Sequence, residues 1–269
     1  MTKISPESPV LTTQVSGSGP AIVLAHGGGG GIDANFGGLI PLLAADHLVI
    51  GSDFPADDTP LTLDSLADAL VVEAIAHGAE TFSIVAFSLG TAVAIRAAVR
   101  HPERVRGLVL TGGFARPDNR ARLNIELWQR ALAAGDRESF ARYVLLAGFS
   151  ADFVNAIPEE ELSDVLARTA ANIPGGTAAQ AALIETADVR ADLPRVAVPT
   201  LVIGLAGDLL CDPANAREQA AGIPGAEYLE LPGGHVVMVE RPEAWHAAVL
   251  DFFTGQQASS AAPSAAATR

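Results

Sequence analysis

The chain has 269 residues, 31 of them acidic against 17 basic, for a net charge of −14, and a single cysteine, Cys211. That acidity argues against a nucleic-acid surface and makes a polyanionic substrate a poorer match than a neutral one. One cysteine leaves no intramolecular disulfide framework and no cysteine metal cluster, while an apolar fraction of 49% supports a substantial buried core.

Strand-like and helix-like segments alternate along the chain. Residues 11–15 and 21–25 read as strands on either side of the turn Gly17-Ser18-Gly19-Pro20, and residues 36–45 as a helix before a strand at 47–52. Leu63, Leu66, Leu70, Val71 and Ile75 recur at helical spacing, predicting a helix over 63–77 with Thr62 as its N-cap and Ser65 three positions on, where a capping box prefers Glu. A strand at 82–86, a small-residue helix at 91–100 and a nearly all-apolar strand at 105–111 follow, as the centre of a parallel sheet requires. From 114 to 192 the strand signal stops, and four helices are expected, at 120–134, 137–146, 158–171 and 177–187. Strands return at 198–203 and 228–231, followed by a last helix at 243–253. The order predicts an α/β fold with a mostly parallel sheet covered on both faces. Its core comprises residues 1–113 and 193–255, the helical insertion covers 114–192, and an Ala/Ser-rich tail at 256–269 is expected to be disordered. No stretch is long enough for a membrane span and the N-terminus has no apolar leader, so a cytoplasmic protein, monomeric or homodimeric, without a membrane partner is expected.

The chemistry concentrates at strand ends. Ala86-Phe87-Ser88-Leu89-Gly90 joins a strand directly to a helix, a turn so sharp that positions 86 and 90 must lack bulk. It presents a serine hydroxyl at a helix N-terminus, where free N–H groups and the dipole favour developing negative charge. Upstream, the strand at 21–25 runs into His26 and five consecutive glycines, 27–31. No Gly-Lys-Ser/Thr follows them and no dinucleotide fingerprint surrounds them, so neither a nucleotide nor any other cofactor is expected. Downstream, the strand at 198–203 leads to Asp208, and the strand at 228–231 leads to Gly233-Gly234-His235.

Ser88, Asp208 and His235, in that order and each past a strand end, closely resemble the triad of the α/β-hydrolase family, over about residues 10 to 253. Two departures are Ala86, where glycine is commoner, and the loop 53–59, where many relatives carry an Arg-Gly-x-Gly-x-Ser run. The resemblance implies an α/β-hydrolase sheet flanked by helices with an all-helical cap at 114–192. It also implies Ser88 as nucleophile, His235 as base and Asp208 as the acid that orients it. Asp208 lies five residues past Ile203, where relatives place their acid; Asp212, directly before Pro213, reads as a helix cap, and Asp118 as a third candidate. The backbone N–H groups of Leu89 and Gly28 are the expected oxyanion hole. Phe114, Trp128, Tyr143 and Val236 are expected to line a substrate pocket under the cap. His26 is expected to orient the glycine loop, His101 to occupy a surface turn, and Asp53 to cap a loop; no histidine spacing suggests a metal site. The implied reaction is hydrolysis of a neutral, medium-sized carboxylic ester or lactone through an acyl-enzyme, with specialised metabolism as the expected setting. The alternatives are a lyase of the same fold that eliminates an acyl group such as acetate, and a non-catalytic binder of small ligands. A serine in the elbow excludes epoxide hydrolases and dehalogenases, which need an aspartate there.

Overall fold

Apolar runs of five to seven residues build the centre of a sheet buried on both faces, with more polar, exposed strands at its two edges. The computed structural model describes residues 9–261, with side chains up to residue 255. Its strands are β1 (Thr12–Ser16), β2 (Ala21–Ala25), β3 (Leu48–Asp53), β4 (Phe82–Phe87), β5 (Val105–Thr111), β6 (Thr200–Leu205) and β7 (Glu227–Leu231). They lie in the order β1-β3-β2-β4-β5-β6-β7, with β1 antiparallel to β3 and every other pairing parallel. Alternate residues of each strand feed opposite faces. Val23, Ile84 and Leu110 join one core cluster and Ile22, Val85 and Val109 the other.

Helices close both faces. Before β4 come α1 (Ile32–Phe36), α2 (Ile40–Leu43) and α3 (Leu63–Ala76), and α4 (Leu89–Arg100) follows it. The insertion after β5 holds α5 (Asn119–Ala133), α6 (Arg137–Gly148), α7 (Ala151–Asn155), α8 (Glu159–Ala171) and α9 (Thr177–Thr186). The core resumes with α10 (Pro213–Gly222), α11 (Val237–Glu240) and α12 (Pro242–Ala261). No helix among the described residues is long and apolar enough to cross a membrane.

The structure differs from the sequence expectations at several points. In place of one helix over 36–45 the structure has α1 ending at Phe36 and α2 starting at Ile40, with Gly37 and Gly38 between them and Pro41 inside the first turn of α2. Although β1 and β2 flank one turn, they do not pair. The chain crosses over β3, and Gly17 and Gly19, both at positive φ, pass where a Cβ would collide with the His47 and Asp46 carbonyls. Ser65 does complete a capping box, its hydroxyl accepting from Thr62 N–H at 3.1 Å while Thr62 Oγ1 accepts from Ser65 N–H at 3.0 Å. The last helix runs to Ala261 rather than Phe253. Gln and Ala are good helix formers, and the next proline is Pro263. The rest of the expected tail lies outside the described residues.

His101 is a further correction. Instead of sitting at the surface it is 1% exposed, and its Nε2 meets the buried Asp68 carboxylate at 2.7 Å. Arg100 bonds both Asp68 and Asp64, and Arg96 reaches Asp64 and Asp192, so the network ties α3 to α4 behind the elbow. A pattern read only along the chain places His101 after a helix. It cannot see that Asp68, 33 residues earlier, waits opposite.

Candidate active site

Ser88 sits between β4 and α4 with φ 52° and ψ −120°, the only non-glycine at positive φ among the described residues. Such a conformation costs about 1–3 kcal/mol and persists only where the surroundings fix it. Here the fixing bonds are Ser88 N–H to the Thr111 carbonyl at 2.9 Å, and Thr91 N–H and Oγ1 to the Ser88 carbonyl at 2.9 and 2.7 Å. Gly90 is required by space, since a Cβ there would strike the Ala25 carbonyl, and the Ala86 methyl is fully buried without hindrance.

The Ser88 hydroxyl lies 2.9 Å from His235 Nε2, and His235 Nδ1 lies 2.6 Å from Asp208 Oδ2. All three residues are at most 8% exposed. The second oxygen of Asp208 accepts from Leu210 N–H at 2.9 Å and Cys211 N–H at 2.7 Å, which pins the carboxylate in one orientation. Of the three candidate acids, Asp208 is the one facing His235. Asp118 caps α5 through Ala121 N–H and accepts from Asn215, and Asp212 caps α10 through Ala214 N–H. Burial and the surrounding acids push the Cys211 thiol well above its ordinary value, so this side chain stays protonated beside Asp208.

The glycine loop after β2 is braced on three sides. Asn35 Oδ1 accepts from Gly27 N–H at 2.9 Å, and the buried Gln180 of α9 accepts from Gly29 N–H at 2.8 Å. His26 Nε2 accepts from Phe54 N–H at 2.8 Å, which leaves Nδ1 to donate to the Gly27 carbonyl at 2.8 Å. Burial lowers the His26 pKa, in keeping with this neutral tautomer. Asp53 caps α1 by accepting from Ile32 N–H at 2.7 Å. Among the described residues neither Gly28 N–H nor Leu89 N–H has a protein partner, and Leu89 opens its helix, where backbone donors are left over.

The histidine loop is fastened to the insertion. The buried Glu240 carboxylate accepts from Gly234 N–H at 3.0 Å, Ser150 N–H at 2.8 Å and the Ser150 hydroxyl at 2.6 Å. Val236 N–H donates to the Gly148 carbonyl at 2.9 Å. The cap is thus bonded directly to Val236 and, through Glu240, shares an acceptor with Gly234, the two neighbours of His235. Asn35, Gln180, Ser150 and Glu240 were not singled out in the sequence. Asn35 had only its closeness to the glycine run as a signal, and Gln180 lies 151 residues from its partner.

Two cavities meet at His235, and one of them also reaches Ser88. The smaller, about 30 Å³, is walled by Ser88 together with Phe114, Ile125, Ile184 and Cys211. The larger, about 170 Å³, is lined by Phe140, Tyr143, Ile173 and Val236. Trp128 and Gly28 border both. All four residues expected at a pocket, Phe114, Trp128, Tyr143 and Val236, therefore lie at one or the other. Phe149 and Phe153 stack on each other at 4.9 Å.

The arrangement is that of a hydrolase of the α/β class. The alpha/beta hydrolase fold family matches residues 20–242, and the chain belongs to it. Among its relatives, pyrrolizixenacetamide deacetylase of Xenorhabdus hominickii is 35% identical over 251 residues, 90% of this chain and 94% of that protein. The crystal structure of a putative non-heme bromoperoxidase, BpoC, of Mycobacterium tuberculosis H37Rv superposes with a TM-score of 0.81 at 27% identity, covering 92% of this chain and 96% of that one. The enol-lactonase of Burkholderia xenovorans LB400 superposes with a TM-score of 0.77 at 25% identity, covering 91% and 96%.

Proposed function

We propose that the protein is a serine hydrolase that cleaves a neutral carboxylic ester or lactone through an acyl-enzyme. The observation that carries this reading is the unbroken chain from Ser88 through His235 to Asp208 at the floor of an apolar cavity. In it, His235 Nε2 takes the Ser88 proton as Oγ bonds to the substrate carbonyl carbon. Asp208 holds Nδ1–H in place and stabilises the imidazolium as it forms. The tetrahedral oxyanion is met by the partnerless N–H groups of Gly28 and Leu89, each typically worth about 3 kcal/mol to the transition state. Collapse breaks the bond between the acyl carbon and the leaving oxygen, which receives the proton from His235. Water then repeats the sequence on the acyl-enzyme, releases the acid and restores Ser88.

The names of two relatives support this chemistry: one is called a lactonase, the other a deacetylase of an acetamide. The same steps serve an amide if His235 protonates nitrogen instead of oxygen. Turnover of an ester panel in heavy-oxygen water, with Ser88→Ala as control, tests the reading. Hydrolysis at the acyl carbon puts solvent oxygen into the released acid. A released acid free of solvent oxygen would point to elimination and sink the proposal.

A further inference from the structure

The division of the cavity at Ser88 carries a statement about the substrate that the triad alone does not. During turnover the acyl group is bonded to Ser88 Oγ, so it must occupy space that Ser88 itself walls. The leaving group must instead reach His235, depart, and make room for water. Of the two compartments, Ser88 lines the smaller and not the larger, whereas His235 borders both.

We infer that the smaller compartment is the acyl pocket and that it restricts the enzyme to acetyl-sized acyl groups carried on a bulky, mostly apolar leaving group. The inference rests on the acyl-enzyme reading above. Its volume of about 30 Å³ is room for roughly two water-sized groups, enough for a methyl and little more. The walls have no slack. Phe114, Ile125, Ile184 and Cys211 are each at most 6% exposed and belong to the main core cluster, so extending the acyl chain forces side chains out of close packing. Ile184 also overhangs the glycine loop, so close that a Cβ on Gly28 would lie 2.7 Å from its Cδ1.

The larger compartment has the opposite character. At about 170 Å³ it is comparable to a cavity of about 150 Å³ that accepts a benzene ring. Two of its lining side chains, Trp128 and Tyr143, carry buried polar atoms without a partner, Nε1 and the hydroxyl. Burial and the nearby Asp208 charge keep the Tyr143 hydroxyl protonated, so both atoms have a hydrogen to donate. Buried donors left unpaired are costly, and a leaving group with a hydrogen-bond acceptor would satisfy them. The substrate class that fits both halves is an acetyl ester or acetamide of a ring-sized group bearing an acceptor oxygen or nitrogen.

The test measures kcat/KM for naphthyl acetate, butyrate and hexanoate, alongside the rate at which each acylates Ser88, read by intact mass. Two added methylenes against unyielding walls are expected to lower kcat/KM and the acylation rate at least tenfold from acetate to butyrate, and the four of hexanoate further still. Ile125→Ala, which enlarges the small compartment, should raise the butyrate-to-acetate ratio at least fivefold; Ile184→Ala serves where that variant folds poorly. Equal rates for acetate and hexanoate in wild type would overturn the inference alone. So would a preference for methyl hexanoate over hexyl acetate, which would place the leaving group in the smaller compartment. Absence of Ser88-dependent acylation by every donor would overturn the acyl-enzyme reading beneath it as well.

Discussion

Replacing Glu240 by alanine probes how the histidine is held. Its carboxylate accepts three hydrogen bonds, from Gly234 N–H immediately before His235 and from both donors of Ser150 at the head of α7. Removing it leaves two backbone donors in a site where Gly234 is buried and Ser150 only partly exposed. Each unsatisfied donor costs about 1–3 kcal/mol, so the variant should lose roughly 2–6 kcal/mol, with the lower figure applying where water enters the gap. In a chain of this size 2 kcal/mol corresponds to a fall in Tm of about 4–8 °C. Stability is the lesser consequence. The loop that carries His235 would lose its anchor to the cap, and a displacement of about 1 Å at a reacting group can cost about a hundredfold.

Well below its Tm, Glu240→Ala should therefore show kcat and the rate of Ser88 phosphonylation both reduced at least tenfold, with KM changed much less. Glu240→Gln keeps an oxygen for the two backbone donors and presents an amide N–H to the Ser150 hydroxyl, so it should recover most of both rates. A Glu240→Ala protein that is destabilised but labels Ser88 at the wild-type rate would refute the positioning role. One with unchanged Tm as well would refute the hydrogen-bond reasoning altogether.

Four other outcomes follow from the same geometry. Asp208→Asn should lower kcat about 10³–10⁴-fold, because the amide no longer fixes the tautomer of His235. Asp118→Asn and Asp212→Asn touch helix caps and, at Asp118, the bond from Asn215; each should cost about 1 kcal/mol of stability, measured by denaturant unfolding, with labelling of Ser88 intact. Cys211, buried and held protonated, should resist iodoacetamide in the native protein and react only on unfolding, as mass spectrometry would read. His26 sets an acid limit. Its native pKa lies below the unfolded value of about 6.5, so the unfolded chain binds a proton that the native state refuses. Stability should thus be full above about pH 6.5 and fall as pH drops towards the lowered native pKa. A His26→Gln variant should lose less stability than wild type between about pH 7 and pH 5, by thermal melts; an equal loss would assign the acid sensitivity to other groups.

The parts legible in the sequence were those with local signals. Strand β4 and the elbow could be read because a mostly apolar run, broken only by Ser83, the elbow serine and a compulsory glycine occupy nine adjacent positions, 82–90. The face-to-face order of Ser88, Asp208 and His235 followed because each sits just past a strand of one parallel sheet. What the sequence hid was long-range pairing. The Glu240–Ser150 link spans 90 residues, Gln180 reaches back to Gly29, and His101 looked like a surface turn because its acid lies on another helix. The strand expected from 198 begins instead at Thr200, after Pro199, which has no N–H to give a ladder. Short helix α7 escaped notice because five residues are too few for a helical period, though Ser150 supplies its cap.

The most direct test of the central claim is intact mass after exposure to a fluorophosphonate, with wild type beside Ser88→Ala and His235→Ala. The account predicts one adduct on wild type, located at Ser88, none on Ser88→Ala, and labelling slowed at least a hundredfold on His235→Ala, where no base remains to take the hydroxyl proton. A wild-type protein that stays unlabelled, or an adduct that persists in Ser88→Ala, would contradict an activated Ser88 as the nucleophile of this fold.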